Sequence, residues 1–205
     1  MTAMEAYEYA DILQAPFPKG EAAIATDAEL SYSYALNILK AAFPEGEAEI
    51  AKCPFGSYGY AMHILKAPFP LGEKAIAKNA QCSYLYAHNV LQAPFPLGEP
   101  AIVKDAEFSY CYAREVLYTS FPEGEAEISK DAEFSYLYAI DVLKSRFPKG
   151  EAAIATNAQY SFAYARDVLK APFPLGEKKI SGIEVIHKKY RKLFPKKKKP
   201  AFFKY

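Results

Sequence analysis

The chain has 205 residues, 51% of them hydrophobic and 24% charged, which is too apolar for a disordered chain and long enough to bury a sizeable core. Its net charge of +1 combines two unlike parts: residues 1–176 hold 14 Lys and Arg against 22 Asp and Glu (−8), and residues 177–205 hold 11 against 2 (+9). No run of about 18 uncharged apolar residues occurs, which excludes a spanning helix, and Glu5, Glu8 and Asp11 stand where a signal peptide would be basic and then apolar. These features predict a cytoplasmic protein with no membrane partner.

Residues 1–16 contain the segment AYEYADILQAP, which reads as a partial repeat. From Phe17 onward the motif Phe-Pro-x-Gly-Glu begins at Phe17, Phe43, Phe69, Phe95, Phe121, Phe147 and Phe173, always 26 residues apart. Six full repeats therefore fill residues 17–172, a divergent seventh repeat with a capping helix covers 173–194, and a basic tail covers 195–205. We number positions within a repeat from its Phe.

The first half of a repeat predicts a helix of about two turns starting at the Pro, for example Pro122 to Lys130. Asp27, Asn79, Asp105, Asp131 and Asn157 at position 11 read as N-caps of a second helix, with Cys53-Pro54 a poorer start in the second repeat. That second helix, Ala132 to Lys144 in the fifth repeat, carries apolar residues at positions 12, 15/16, 19 and 22/23, a helical period of about three turns. The Ala-Pro-Phe-Pro at residues 67–70, 93–96 and 171–174 predicts its termination. One such pair is too small to bury its own surface, so the repeats must stack on one another. The predicted fold is all-α: a right-handed α-solenoid of short helix-turn-helix repeats with a basic C-terminal capping helix and tail.

Position 19 is Ala in all six full repeats, so neighbouring helices can approach closely. Position 18 is always Tyr and position 16 is Tyr or Phe; about 200° apart around the helix, they point to opposite sides. The pattern Phe-Pro-x-Gly-Glu-Ala-x-Ile and Ser-Tyr-x-Tyr-Ala-x-x-Val-Leu, as it stands in residues 121–143, resembles a family of short tandem repeats found in proteins of tailed bacteriophages and other large DNA viruses. The resemblance spans residues 17–180. It implies a viral origin and a helical-repeat fold, and it carries over no functional residue. Relatives often have Trp where this chain has Phe.

Chemistry-bearing patterns are few. The Glu at position 5 of every repeat suits the first turn of a short helix and the reach of a neighbouring Tyr hydroxyl, and a cation row is the competing reading. The aromatics have core spacing, and the −8 body gives no basic groove for base stacking. Cys53, Cys82 and Cys111 lie 29 residues apart, a spacing that puts them beyond the Cα limit of about 7 Å for a disulfide and predicts free thiols. His63, His88 and Cys111 lack the short fixed spacings of a zinc site. No phosphate loop, nucleophile elbow or HExxH occurs, so neither catalytic residues, a metal nor a cofactor is expected.

Two regions escape the repeat. Positions 17, 20, 21 and 24 form one helical stripe that varies between repeats and reads as either a solvated face or a protein-binding surface centred on Met62, His63, His88, Arg114, Tyr118 and Arg166. After Ile180 the chain reads as an amphipathic helix with Lys188, Lys189, Arg191 and Lys192 on one side, followed by Lys196, Lys197, Lys198 and Lys199. This basic end is either a solubilising tail lying against the acidic body or an anchor for nucleic acid.

Overall fold

The structure, a computed structural model, describes residues 1–195; Lys196, Lys197, Lys198 and Lys199 lie outside the described residues. Every regular element among the described residues is helical, and regular helix pairs pack against their neighbours. The chain divides into two compact parts, Met1–Gly124 and the part from Glu125 onward. The first holds repeats 1 to 4 behind an N-terminal helix, Ala3–Leu13; the second holds the helices of repeats 5 to 7.

The first helix of a repeat is shorter than the sequence suggests. Only in repeat 1 does it run from the Pro, Pro18–Ile24. Elsewhere the Pro-x-Gly stretch is a tight turn or a 3₁₀ turn, as in Pro44–Gly46, and a single α turn such as Glu47–Ile50 or Glu99–Ile102 follows. The position-4 glycine is dictated by crowding. A Cβ on Gly98 would lie 2.5 Å from its own Phe95 ring and 2.6 Å from the Cβ of Ser83 in the preceding repeat.

The caps stand where the sequence puts them. Asp27 accepts from the Leu30 N–H at 2.9 Å and Asn79 from the Cys82 N–H at 2.9 Å. Cys53 does the same more weakly, its thiol accepting from the Gly56 N–H at 3.4 Å. All three cysteines are free, as their spacing predicts.

A tyrosine-centred relay closes each repeat. The position-18 hydroxyl accepts from the Phe N–H at position 1 of its own repeat at 2.7–2.9 Å in repeats 1 to 4, 6 and 7. It donates to the position-5 Glu of the same repeat at 2.9–3.3 Å, from Tyr34–Glu21 through Tyr190–Glu177. The bond pays twice, since it satisfies a buried backbone donor and holds a carboxylate at the first turn of the short helix. The same ring meets the Phe that opens the next repeat with centroids 5.1–5.3 Å apart. The position-15 serine, fully buried, donates to the position-8 Ile carbonyl at 2.8–3.0 Å and so closes the end of the short helix.

The relay extends further than the sequence reading allowed. The seventh repeat keeps it through Tyr190, 26 residues after Tyr164, so the pattern does not break at Ile180. Tyr190 then packs at 5.2 Å against Phe194, which caps the end of its own helix, Glu184–Leu193, where earlier repeats use the next Phe.

The second helix departs from expectation more strongly. It begins as an α-helix and continues as a π-helix at Tyr34–Leu39, Tyr60–Leu65, Ala87–Leu91, Ala113–Leu117, Tyr138–Leu143 and Tyr164–Leu169. Termination comes before the Pro: position 24 turns left-handed, and its N–H and the next one both reach the position-19 Ala carbonyl, as Lys40 and Ala41 reach Ala35.

The N-terminal helix shows what the expansion is. It is α throughout, and Gln14 and Ala15 close on the Ala10 carbonyl. Ala6 takes the serine's place against Gly20, and the Tyr9 ring packs at a tilt on Phe17 with centroids 4.7 Å apart. Matching Ala6–Tyr7–Glu8–Tyr9–Ala10 to Ser83–Tyr84–Leu85–Tyr86–Ala87 leaves three residues before Gln14 and four before Gln92. Each π segment is therefore an α turn carrying one extra residue.

Candidate functional site

Grooves lie between the π segments of consecutive repeats, and three of them share one design. Ala61, Met62 and Lys66 face Asn89, Val90 and Gln92 around about 400 Å³. Ala87, His88 and Gln92 face Glu115, Val116 and Tyr118 around about 410 Å³. In the second compact part, Ala139, Ile140 and Lys144 face Asp167, Val168 and Lys170 around about 320 Å³. Positions 19, 20 and 24 of one repeat thus meet positions 21, 22 and 24 of the next, with an Ala and Val floor and a polar rim.

The structure brings positions 20, 21 and 24 of the variable stripe together in these grooves; position 17 lines none of the three. Position 21 also has a stacking duty that the sequence reading missed. The position-16 hydroxyl of one repeat bonds the position-21 side chain of the next: Asn89 donates to Tyr58 at 2.9 Å and Tyr136 donates to Asp167 at 3.1 Å. Tyr84 makes the same bond to Glu115, and Asn37 donates to Tyr7 at 3.3 Å. The regular separation of 31 residues between a position-16 Tyr and a polar position-21 residue was the available signal.

Position 20 holds Leu36, Met62, His88, Arg114, Ile140 and Arg166 in turn. Met62 lines its groove and His63 is exposed beside it. His88 sits edge-on to Tyr84 at 5.8 Å, and both its ring nitrogens are buried without a hydrogen-bond partner among the described residues. Arg114 lies over the Tyr110 ring at 5.1 Å, donates to its hydroxyl and pairs with Glu115. Arg166 lies over the Phe162 ring at 5.3 Å and pairs with Asp167 at 2.6 Å.

These pairs set the local electrostatics. Burial opposes the charge on Glu115, but the bonds from Tyr84 and Arg114 outweigh it and hold the carboxyl below its ordinary range. The Arg166 guanidinium holds Asp167 down in the same way, against burial. Burial, reinforced by the bond to Asp167, pushes Tyr136 up to about 12. The anions at position 21 are thereby engaged within the fold, and the exposed position-24 side chains dominate the rim.

Position 24 is the most informative. Gln14, Lys40, Lys66, Gln92, Tyr118, Lys144 and Lys170 all have φ of 50–54°, a region that favours glycine. None is glycine. Lysine suits a helix C-terminus, but the macrodipole gives no reason for Gln92 or for Tyr118, whose ring is 82% exposed.

The basic C-terminal helix places Lys188, Lys189 and Lys192 in solvent and Arg191 half-buried, with Lys188 paired to Glu184 at 2.6 Å. No cluster of three or more His, Cys, Asp or Glu able to hold a metal occurs among the described residues. No described helix is long and apolar enough to cross a membrane. Compared with known proteins, the chain matches no family model, no curated protein and no solved structure.

Proposed function

We propose that this chain is a non-catalytic interaction protein of phage or other viral origin. Its repeats form a right-handed α-solenoid, and it binds a host or viral protein in the host cytoplasm through the grooves of its second-helix face. The observation that carries this reading is position 24. Holding an L-residue in the left-handed region costs about 1–2 kcal/mol, and such strain concentrates at functional sites. The chain bears it at seven caps where glycine would bear none, and five of the side chains so retained, Lys66, Gln92, Tyr118, Lys144 and Lys170, line the grooves. Solenoids characteristically bind along such repeated surfaces.

In this reading the helix Glu184–Leu193 caps the stack. Its Arg191 stands at position 19, where the six full repeats carry a fully buried Ala. The test is capture of partners from host lysate by the full chain and by a Tyr118→Gly/Met62→Ser variant with unchanged helix content. The variant should lose a partner that the parent retains; retention of every partner would contradict the assignment of this face.

The +9 charge of residues 177–205 supports a second reading, a nucleic-acid contact made by the basic end. Affinity that falls steeply with salt and disappears on removing residues 188–205 would favour it, and absence of binding at low salt would reject it.

A further inference from the structure

The first and last helices of the described chain differ from the second helices between them: Ala3–Leu13 and Glu184–Leu193 are α throughout. Each also presents to solvent a stripe that mixes charged and apolar side chains; Met4 and Val185 stand at position 13, which the full repeats expose as well. The N-terminal helix buries Ala6 and Ala10, and on the opposite side Met4, Glu8 and Ile12 follow one another at helical spacing, with Asp11 beside them. Met4 is 53% exposed and Ile12 81% exposed.

The C-terminal helix buries Tyr190, and its opposite side carries Val185, Lys188, Lys189 and Lys192. Val185 is 65% exposed and Leu193, on the flank, 50%. One stripe is acidic and apolar, the other basic and apolar. Residues 1–16 contain three acidic side chains and no Lys or Arg, whereas the described helix from Glu184 to Leu193 carries Lys188, Lys189, Arg191 and Lys192 against one acid.

We infer that the two stripes are the halves of a heterologous self-association site, in which the N-terminal helix of one copy docks on the C-terminal helix of another. Opposite charges steer the encounter and fix its direction, because either helix against its own kind places like charges together. The apolar residues Met4 and Ile12 then meet Val185 and Leu193 and lose their contact with water. Because the two surfaces differ, the contact is not closed by a two-fold axis, and each added copy leaves one stripe of each kind free. A single helix face on each side is small by the standard of stable interfaces, so the association is weak and depends on concentration. This inference does not depend on what the grooves bind.

The test is sedimentation equilibrium on the full chain over a concentration series, at low salt and at about 0.5 M salt, where exposed charges are screened within a few ångströms. At low salt the weight-average mass should rise to at least twice that of the monomer and fall back at high salt. Two charge-reversed variants localise the contact: Glu8→Lys/Asp11→Lys, and Lys189→Glu/Lys192→Glu, each checked for unchanged helix content. Each alone should stay monomeric, and an equimolar mixture should regain association, because each reversed stripe then finds a complement. A wild type that is monomeric throughout would overturn the inference. So would variants that associate as the wild type does, or a mixture no heavier than its components.

Discussion

Replacing Tyr118 by Gly isolates what the left-handed caps contribute. Tyr118 has φ 54° and ψ 24°, and its side chain is 82% exposed, so its removal leaves little unfilled space. The strain relieved is about 1–2 kcal/mol, and the extra backbone entropy that glycine loses on folding takes back about 0.5–1 kcal/mol. The variant should therefore be more stable than the parent by about 0.5–1 kcal/mol, a rise in melting temperature of roughly 2 °C for a chain of this size. Thermal melting followed by helix signal, with urea unfolding as a second measure, reads this directly. The same change should weaken partner capture, so stability and function move in opposite directions. A loss of more than about 1 kcal/mol would refute the reasoning, because it would mean that the ring packs for the fold's own sake.

Tyr112→Phe removes the hydroxyl that accepts from the Phe95 N–H at 2.8 Å and donates to Glu99 at 2.9 Å. Leaving that buried donor unpaired and losing the bond to the carboxylate should cost about 2–4 kcal/mol, read as a lower urea midpoint at unchanged slope. Alkali should act through the same relay. Burial pushes Tyr86 and Tyr164 up to about 12 in the folded chain, against about 10 when unfolded. The unfolded state releases these protons first, so stability is complete below about pH 10 and is lost as pH rises toward 12. Tyrosinate absorbance should appear together with loss of helix signal; full ionisation in a still-folded chain would count against the relay. Inserting one alanine between Ala10 and Asp11 should give the N-terminal helix the π turn of its neighbours, with Gln14 still capping on the Ala10 carbonyl. The same insertion between Ala6 and Tyr7 would rotate Ala6 and Ala10 apart by about 100° and should destabilise the chain by more than 2 kcal/mol, roughly the cost of disrupting a packed core. Equal effects at the two sites would contradict the one-residue account of the π segments.

The sequence carried the parts of this fold that depend on repetition. The position-11 caps, the buried Ala at position 19, the core aromatics and the Tyr–Glu contact all recur at fixed spacing. A residue required in every repeat announces its structural role. What it hid depends on conformation. Positions 20 to 23 look like ordinary helix, so a π turn leaves no mark in any single repeat; only the shorter AYEYADILQAP, set beside SYLYAHNVLQAP, reveals the extra residue. The left-handed cap was hidden because no glycine or asparagine stands there, and the Pro that follows suggested another terminator. Tyr190 was legible from its spacing to Tyr164, but the basic residues around it disguised the continuing repeat. Of the candidate site, positions 20 and 24 stood out by their variability. The second duty of position 21 did not, because its Tyr partner lies in the preceding repeat.

The proposed binding surface is the groove face rather than the face formed by the short first helices. A photoreactive aromatic residue placed at Tyr118, and in a separate chain at Leu71, which is 62% exposed at position 3, tests this in host lysate. A discrete cross-linked species is expected from position 118 and none from position 71. Cross-linking from position 71 alone would contradict it.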